Sequence, residues 1–235
     1  MSNIIIKGKI LFLALVLGGH SGVFAQGKRL NFGLNGFSGV SSSFVNVQDS
    51  NSTYFGGIKR ARFSYSFGFE LDYKINDKFS ILTGVNFLKM ADKSSKFPPD
   101  QYRGLLYSRT YSANSYFIEV PLNFCGHLSK SWIFMVGSSF LYNVKDNLYM
   151  AVDNEKPYAV NIENYKSPFF GVTANLGIGY EKQTNAGTFR VMPYSQFNFV
   201  SPVGAVPFII DNIPSRKYVT FGLRLTYLLV RNNKE

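Results

Sequence analysis

Residues 61–75 read ARFSYSFGFELDYKI, and this stretch decides the fold. Aromatic and aliphatic residues occupy every odd position from Phe63 to Ile75, whereas serine, glycine and charged residues occupy the even positions. Successive side chains of an extended strand point to opposite faces, so a period of two predicts a strand with one apolar and one polar face. Residues 76–78 are a predicted tight turn, and residues 79–90 return with a second alternating run. The two runs therefore form a predicted hairpin.

The same alternation recurs along the 235-residue chain and predicts eight strands, at 30–40, 61–75, 79–90, 115–127, 132–144, 168–182, 188–199 and 217–229. Their connections alternate in length: they are short at 76–78, 128–131 and 183–187, and long at 41–60, 91–114, 145–167 and 200–216. Outer-membrane barrels show this alternation, because long loops lie outside the cell and short turns lie on the periplasmic side. We therefore predict an all-β fold, a closed eight-stranded antiparallel up-and-down transmembrane β-barrel. A soluble β-protein with these aromatic residues in its core is the alternative.

Contact with lipid forces the predicted sheet to close. An open edge in a bilayer would leave amide and carbonyl groups without partners, at several kcal/mol each. Eight strands enclose an interior that side chains fill, so we do not expect a general pore. Pro121 and Pro193 fall within predicted strands that a closed barrel pairs on both sides. Because proline has no amide to donate, we expect a bulge or a different strand end at each.

Aromatic residues on the apolar face gather near the predicted short turns and the end of the last strand. Rings at this level are expected at a membrane interface. They are Tyr73, Phe79, Phe124, Trp132, Tyr180, Phe189 and Tyr227.

The N-terminal residues have the layout of a cleaved signal peptide. Lys7 and Lys9 precede an apolar run at 10–17, and small residues lead to Ala25. We therefore predict a signal peptide at 1–25 and one barrel domain at 26–235, exported to a bacterial outer membrane; an uncleaved anchor is the alternative. The formal net charge is +11. An exported basic protein is expected to contact outer-membrane lipid and lipopolysaccharide rather than nucleic acid.

Charged residues on the inward parity predict a polar network in the lumen. A narrow lumen makes unpaired charge costly, so these side chains should pair and hydrogen-bond with one another. We interpret the network as a structural plug; a proton or ion path is the alternative. The residues that we expect to carry it are Glu70, Glu119, Arg190 and Arg224, with Arg62, Asp72 and Lys74 on the same parity.

The second predicted long loop has a composition suited to binding. Cationic and tyrosine side chains alternate there, a combination able to bind a polyanionic sugar or the surface of a cell-envelope protein. A solvated loop without a ligand is the alternative. The residues of this candidate surface are Lys93, Lys96, Tyr102, Arg103, Tyr107, Arg109 and Tyr111.

Catalytic and cofactor sites have little support in the sequence. Beyond residue 25 the chain holds one histidine, His127, and one cysteine, Cys125, too few for a zinc site of the usual ligands. We expect no cofactor. His127 and Ser129 resemble the His-x-Ser pair of lipid A deacylase barrels, in which serine attacks an ester and histidine takes its proton. The pair falls at the predicted periplasmic end with His127 on the inward parity, so a polar turn histidine is the simpler interpretation.

Residues 116–122, read YFIEVPL, resemble the Glu-x-Pro-Leu strand of the PorT-like outer-membrane β-barrel family of Bacteroidota. Gly33, the glycines at 171–179 and residues 189–194 (FRVMPY) add to the resemblance. It implies an outer-membrane barrel without catalytic residues. Some members of that family serve type IX secretion or gliding, which is an alternative role. We accordingly expect a non-enzymatic barrel with a structural or interaction function.

Overall fold

The computed structural model describes residues 30–45, 60–93, 108–153, 155–159, 170–200 and 216–229. The predicted signal peptide lies outside these residues. The described segments contain nine strands: β1 (Leu30–Val45), β2 (Arg60–Lys74), β3 (Phe79–Lys93), β4 (Arg109–His127), β5 (Trp132–Val152), β6 (Tyr158–Ala159), β7 (Phe170–Gln183), β8 (Gly187–Val200) and β9 (Arg216–Leu229).

Eight long strands form a closed antiparallel ring. Each pairs with its neighbours along the chain, and β9 pairs with β1 from Phe32 opposite Leu229 to Val45 opposite Arg216. Among the described residues, the two-residue β6 pairs only with β5, opposite Tyr149 and Met150. The predicted closed eight-stranded barrel is therefore confirmed. No helix in the described segments is long and apolar enough to cross a membrane.

The two ends of the barrel differ. Short turns join β2 to β3, β4 to β5 and β7 to β8, at what we call the turn end. Long segments join the remaining strands at the opposite end, which we call the loop end. The turns are closed by local bonds, as where the Asn76 side chain accepts from the amides of Lys78 and Phe79 at 2.9 Å.

The distribution of side chains is the reverse of that in a soluble protein, with apolar residues on the outer face and polar residues inside. Phe67 and Phe69 on β2 are 58% and 56% exposed, whereas Ser66 and Glu70 on the same strand are 6% and 1% exposed. An apolar outer face around a polar interior is the pattern of strands that contact lipid. The soluble alternative, with its aromatic residues in a core, is therefore not supported.

The predicted aromatic belt lies on the outer face near the turn end. Trp132 is 53% exposed, and its ring centre is 6.5 Å from that of Tyr180 on the paired strand. Phe79 and Phe124 pack at 5.1 Å on the neighbouring strands. Contacts of this kind between paired strands contribute to sheet stability beyond the area that they bury.

Strands β4 and β5 are longer than the sequence predicts. Residues 109–114 and 145–152, expected in loops, belong to β4 and β5 and pair with each other from Arg109 opposite Val152. Periodicity misses the β4 extension because mostly polar and small residues occupy both faces there, and it misses the β5 extension because a register shift next to Lys145 breaks the alternation. Beyond the zone that contacts lipid, a strand does not need an apolar outer face. The two strands therefore continue to pair without the pattern from which strands are predicted.

Pro121 does not produce the expected bulge or strand end. The chain runs through it as part of β4, and Pro121 pairs with Ser139 of β5. On the other side the β3–β4 ladder has no partners for Gly84 and Val85, but the register before and after the gap is unchanged. The missing amide therefore interrupts one ladder locally without moving the strand.

Pro193 behaves in the same way. It stays within β8 and pairs with Leu223 of β9, while the β7–β8 ladder is interrupted between the pairs Gly177–Tyr194 and Tyr180–Val191. The register shifts lie elsewhere, in the β2–β3 ladder, the upper β4–β5 ladder and at the loop end of the β7–β8 ladder. The expectation of bulges at the two prolines was wrong, because a proline carbonyl still accepts and one side of the strand stays paired.

Candidate functional site

The lumen near the turn end holds a chain of buried ion pairs. Arg190 of β8 donates from Nη2 to Asp72 of β2 at 2.8 Å and from Nε to Glu181 of β7 at 2.7 Å. Glu181 in turn lies 3.3 Å from Nε2 of His127, the last residue of β4. The first three side chains are at most 4% exposed, so each buried charge has a partner of opposite sign.

A second ion pair lies further into the barrel. Arg224 of β9 donates to Glu70 of β2, and both side chains are almost completely buried. The guanidinium carbon of Arg224 is 5.5 Å from the ring centre of Tyr194, a cation–π contact that adds a second partner for the charge. Together with Tyr194 of β8, the pair therefore connects three strands across the interior.

A layer of amides surrounds another buried carboxylate, that of Glu119. Glu119 of β4 accepts from the Asn86 side chain at 2.9 Å and from the Gln196 side chain at 2.7 Å. Asn86 itself accepts from Asn35 at 2.9 Å, and Gln196 also donates to Thr173 at 3.2 Å. The carboxylate thus has neutral donors instead of a cation, and the layer links β1, β3, β4, β7 and β8.

Two apolar clusters occupy further parts of the interior. Both consist of buried inward-facing side chains, so they close the spaces that the polar groups leave. One cluster contains Phe37, Leu82, Cys125, Ile133, Met135, Met192 and Tyr194, and the other contains Leu88, Met90, Phe117, Leu141 and Tyr218.

Polar and apolar layers alternate along the lumen, as the inward residues of β4 show. From the turn end they are His127 in the ion-pair chain, Cys125 in the first apolar cluster, Asn123 and Glu119 in hydrogen-bonded layers, and Phe117 in the second apolar cluster. This succession leaves each layer in contact with a layer of the other kind. The lumen is a packed core in which the Arg190 and Arg224 ion pairs and the amides around Glu119 have specific partners.

The four residues predicted for the lumen network all face inward and are at most 3% exposed. They are divided among three groups instead of forming one network. Glu70 pairs with Arg224, Arg190 pairs with two other carboxylates, and Glu119 is held by amides. Length and direction of the side chains decide these partners, and strand parity alone does not contain that information.

Several residues of the lumen groups were not predicted from the sequence. Glu181 follows the inward parity of Asn175, Gly177 and Gly179 on β7, so the signal was present in that strand. Asn86 and Gln196 were not predicted because the predicted lumen network contained charged residues only. Uncharged amides on the polar face of a strand are as informative as charges for a lumen that must satisfy its hydrogen bonds.

His127 and Ser129 make separate contacts and do not form a dyad. The Ser129 hydroxyl accepts from the amides of Ser131 at 3.3 Å and Trp132 at 3.1 Å, which closes the turn. His127 contacts Glu181 and the carbonyl of Lys78, both at 3.3 Å. Neither contact activates the serine, so the geometry favours a structural role for both. Among the described residues, no group of His, Cys, Asp or Glu is arranged to hold a metal ion.

The candidate loop surface is only partly within the described residues. Lys93 is the last residue of β3, and Arg109 and Tyr111 belong to β4 instead of a loop. Lys96, Tyr102, Arg103 and Tyr107 lie outside the described residues.

Solved structures that match the chain include three bacterial proteins. The attachment invasion locus protein Ail of Yersinia pestis is 8% identical, with 86% of this chain and 99% of Ail covered and a TM-score of 0.39. Neisserial surface protein A is 11% identical, with 83% and 96% covered and a TM-score of 0.39. OprG of Pseudomonas aeruginosa is 9% identical, with 85% and 91% covered and a TM-score of 0.30. No curated protein matches the chain.

Family membership comes from the sequence itself. The model of the outer membrane protein beta-barrel domain matches residues 24–199, from before β1 to the end of β8. This match and the closed, apolar-faced ring of strands agree. The chain belongs to the outer membrane protein beta-barrel domain family.

Proposed function

We propose that this outer-membrane barrel is neither a catalyst nor a pore, and that it acts through its outer surface and the segments at its loop end. The observation that carries the proposal is the filled lumen. Ion pairs, an amide layer and two apolar clusters occupy the interior, which leaves the outer face and the loop end as the surfaces open to partners.

Bonds across the lumen support the absence of conduction. Arg190 and Asp72 lie on β8 and β2, and Gln196 and Glu119 lie on β8 and β4. In both cases the strands are three places apart in a ring of eight, so these bonds cross the interior instead of following the wall. A solute would have to break buried ion pairs and displace packed apolar side chains.

Planar bilayers test the proposal. The purified, folded protein should give no steady conductance above that of the bare membrane, because the barrier is built from fixed side chains. A general porin in the same bilayers is the positive control. A stable conductance of porin size would overturn the proposal.

Export and orientation form part of the proposal. Residues 1–25 act as the signal peptide, the turn end faces the periplasm, and the loop end faces the exterior, as the distribution of short and long connections supports. Mass spectrometry of the mature protein should find Gln26 at its N-terminus. An epitope inserted within 94–107 should be reached by antibody on intact cells, and one at 184–186 should not.

The partners that suit this orientation are outer-membrane lipid, lipopolysaccharide, and a cell-envelope protein or surface glycan. The candidate loop surface supplies cations and tyrosines for a polyanionic ligand. Replacing Lys96 and Arg103 by glutamine should weaken binding of cells to a sulfated glycan array. Binding that is unchanged would remove this surface from the proposal.

A role in type IX secretion or gliding is the second candidate, and the resemblance of 116–122 to the PorT-like family of Bacteroidota favours it. In this strand Glu119 is a lumen residue and Pro121 interrupts a ladder, so both motif residues have structural roles. Deletion of the gene should then abolish cargo secretion, and the protein should co-purify with a large membrane assembly. Intact secretion in the deletion strain would exclude this role.

A further inference from the structure

Four outward-facing residues form a continuous row across four strands. Tyr65 of β2 is opposite Lys89 of β3, Lys89 is opposite Tyr116 of β4, and Tyr116 is opposite Lys145 of β5. We call these residues the lysine–tyrosine row. Neighbouring strands are about 4.8 Å apart, so the two lysine backbones are separated by about 10 Å. All four side chains are at least partly exposed.

Lys89, in the middle of the row, lies at the height of a membrane interface. Phe79, in the aromatic belt, and Lys89 are ten positions apart on the same strand, β3. At about 3.3 Å per residue and a tilt of about 40°, this distance corresponds to a height of about 25 Å, the height of the apolar band of outer-membrane barrels. Lys89 is therefore at the opposite interface, on the side of the loop end, and the other residues of the row lie one or two strands from it.

The cations of the row have no acidic partner among the described residues. Within the described segments neither Lys89 nor Lys145 takes part in an ion pair. The carboxylates nearest along these strands, Asp92 and Asp146, are on the inward parity, opposite Ala113 and Ser115. The two charges are thus presented to the membrane.

Aromatic rings position one of the cations and extend below it. The Lys89 ammonium is 5.7 Å from the ring centre of Tyr65, a cation–π distance that holds the side chain over the outer face. On the side of the turn end, Phe67, Phe87 and Ile118 form the next outward row. Phe87 packs against Phe67 at 5.5 Å and against Tyr116 at 5.9 Å. A polar row above an apolar row matches a lipid with a charged headgroup above its acyl chains.

We propose that the lysine–tyrosine row binds the phosphate groups of a phosphorylated glycolipid in the outer leaflet. The ammonium groups of Lys89 and Lys145 neutralise phosphate oxygens, and the hydroxyls of Tyr65 and Tyr116 donate hydrogen bonds to them. The acyl chains lie along the apolar row beneath. A separation of about 10 Å between the two lysine backbones allows the ammonium groups to reach two phosphates on one headgroup. The choice of leaflet rests on the proposed orientation, whereas the site itself does not.

Lipid titrations of the folded protein in neutral detergent test the site. The probe is a lipid A preparation with two phosphates, and its dephosphorylated form is the reference. Lys89→Gln and Lys145→Gln should each weaken binding of the bisphosphorylated lipid about fivefold, and the double variant about thirtyfold, from about 1 kcal/mol per cation near an anionic surface. Binding of the dephosphorylated lipid should not change.

Lys182→Gln is the matched control, because Lys182 is an exposed residue of β7 near the turn end. It should leave binding of the bisphosphorylated lipid unchanged. Equal loss in Lys182→Gln, or full binding by the double variant, would overturn the site. Competition by inorganic phosphate at millimolar concentration would overturn the assignment to a lipid. Because detergent micelles have no inner or outer leaflet, the titration tests the site independently of the proposed orientation. The epitope experiment tests the orientation.

Discussion

At the scale of single residues, the barrel depends on buried charges that need a partner of opposite sign and on glycines whose surroundings have no space for a Cβ. Strand parity predicts that Arg190 and Arg224 face inward, and they do. It does not predict that Arg190 joins Asp72 and Glu181 while Arg224 joins Glu70, because that choice depends on side-chain reach across a curved sheet. The position of a lumen residue is therefore readable from sequence, but its partner is not.

Replacing Arg190 by methionine should destabilise the barrel by about 3–5 kcal/mol. The change keeps an apolar stem but leaves the Asp72 and Glu181 carboxylates buried without their cation, and uncompensated buried charge is the larger cost. Urea unfolding in lipid vesicles measures the loss. Arg62→Met, at an exposed position on β2, is the control and should change stability by less than about 0.5 kcal/mol. Equal stability of the two variants would contradict the assigned role of Arg190.

Gly222→Ala should be destabilising, and Gly36→Ala should not. A Cβ on Gly222 would overlap the Ser38 carbonyl and the Gly39 backbone and would lie 2.8 Å from the Phe37 ring, so strands β1 and β9 must separate. A Cβ on Gly36 meets nothing nearer than 3.7 Å. We expect a loss of about 1–3 kcal/mol for the first variant, as for other overpacked sites. The gel shift between heated and unheated samples, followed with temperature, compares the two.

At the scale of elements, the alternation of apolar and polar residues identifies strands wherever contact with lipid requires one apolar face. All eight long strands were predicted, and most ends agree within a few residues, since apolar and polar positions contrast within the belt. The contrast fails at the loop ends of β4 and β5, where Arg109–His127 and Trp132–Val152 extend beyond the predicted ranges. The prolines were misjudged for a related reason: sequence shows the missing donor but not the ladder on the other side that keeps the strand in place.

Hydrogen exchange should divide β5 into two parts. Residues 132–142 pair with β4 on one side and β7 on the other, whereas the only pairing of 143–152 besides β4, within the described residues, is with the short β6. Amides beyond Tyr142 should exchange at least about tenfold faster, because a strand paired mainly on one side opens without disturbing the barrel. The paired residues of β4 at 117–127 provide the internal reference. Uniform protection along β5 would show that the extension is as stable as the wall.

At the scale of the whole molecule, closure links the outer face to the lumen. A ring without edges satisfies the backbone in lipid, and the same ring sets an interior that eight strands can fill. The polar and apolar layers inside then hold the wall in one shape. This holds the lysine–tyrosine row in a fixed position on the outer face, as the proposed binding at a rigid surface requires.

Closure itself can be tested by a disulfide between the first and last strands. Ser38 of β1 and Leu223 of β9 face outward and are directly opposite, a separation that a disulfide can bridge. With Cys125, the chain's one cysteine, replaced by alanine, Ser38→Cys with Leu223→Cys should cross-link on mild oxidation. Ser38→Cys with Leu229→Cys should not, because Leu229 pairs with Phe32, six residues or about 20 Å along the strand. Non-reducing gels and peptide mass spectrometry distinguish the two. Cross-linking of both pairs would mean that the β1–β9 register slides, and cross-linking of neither would mean that the ring is open.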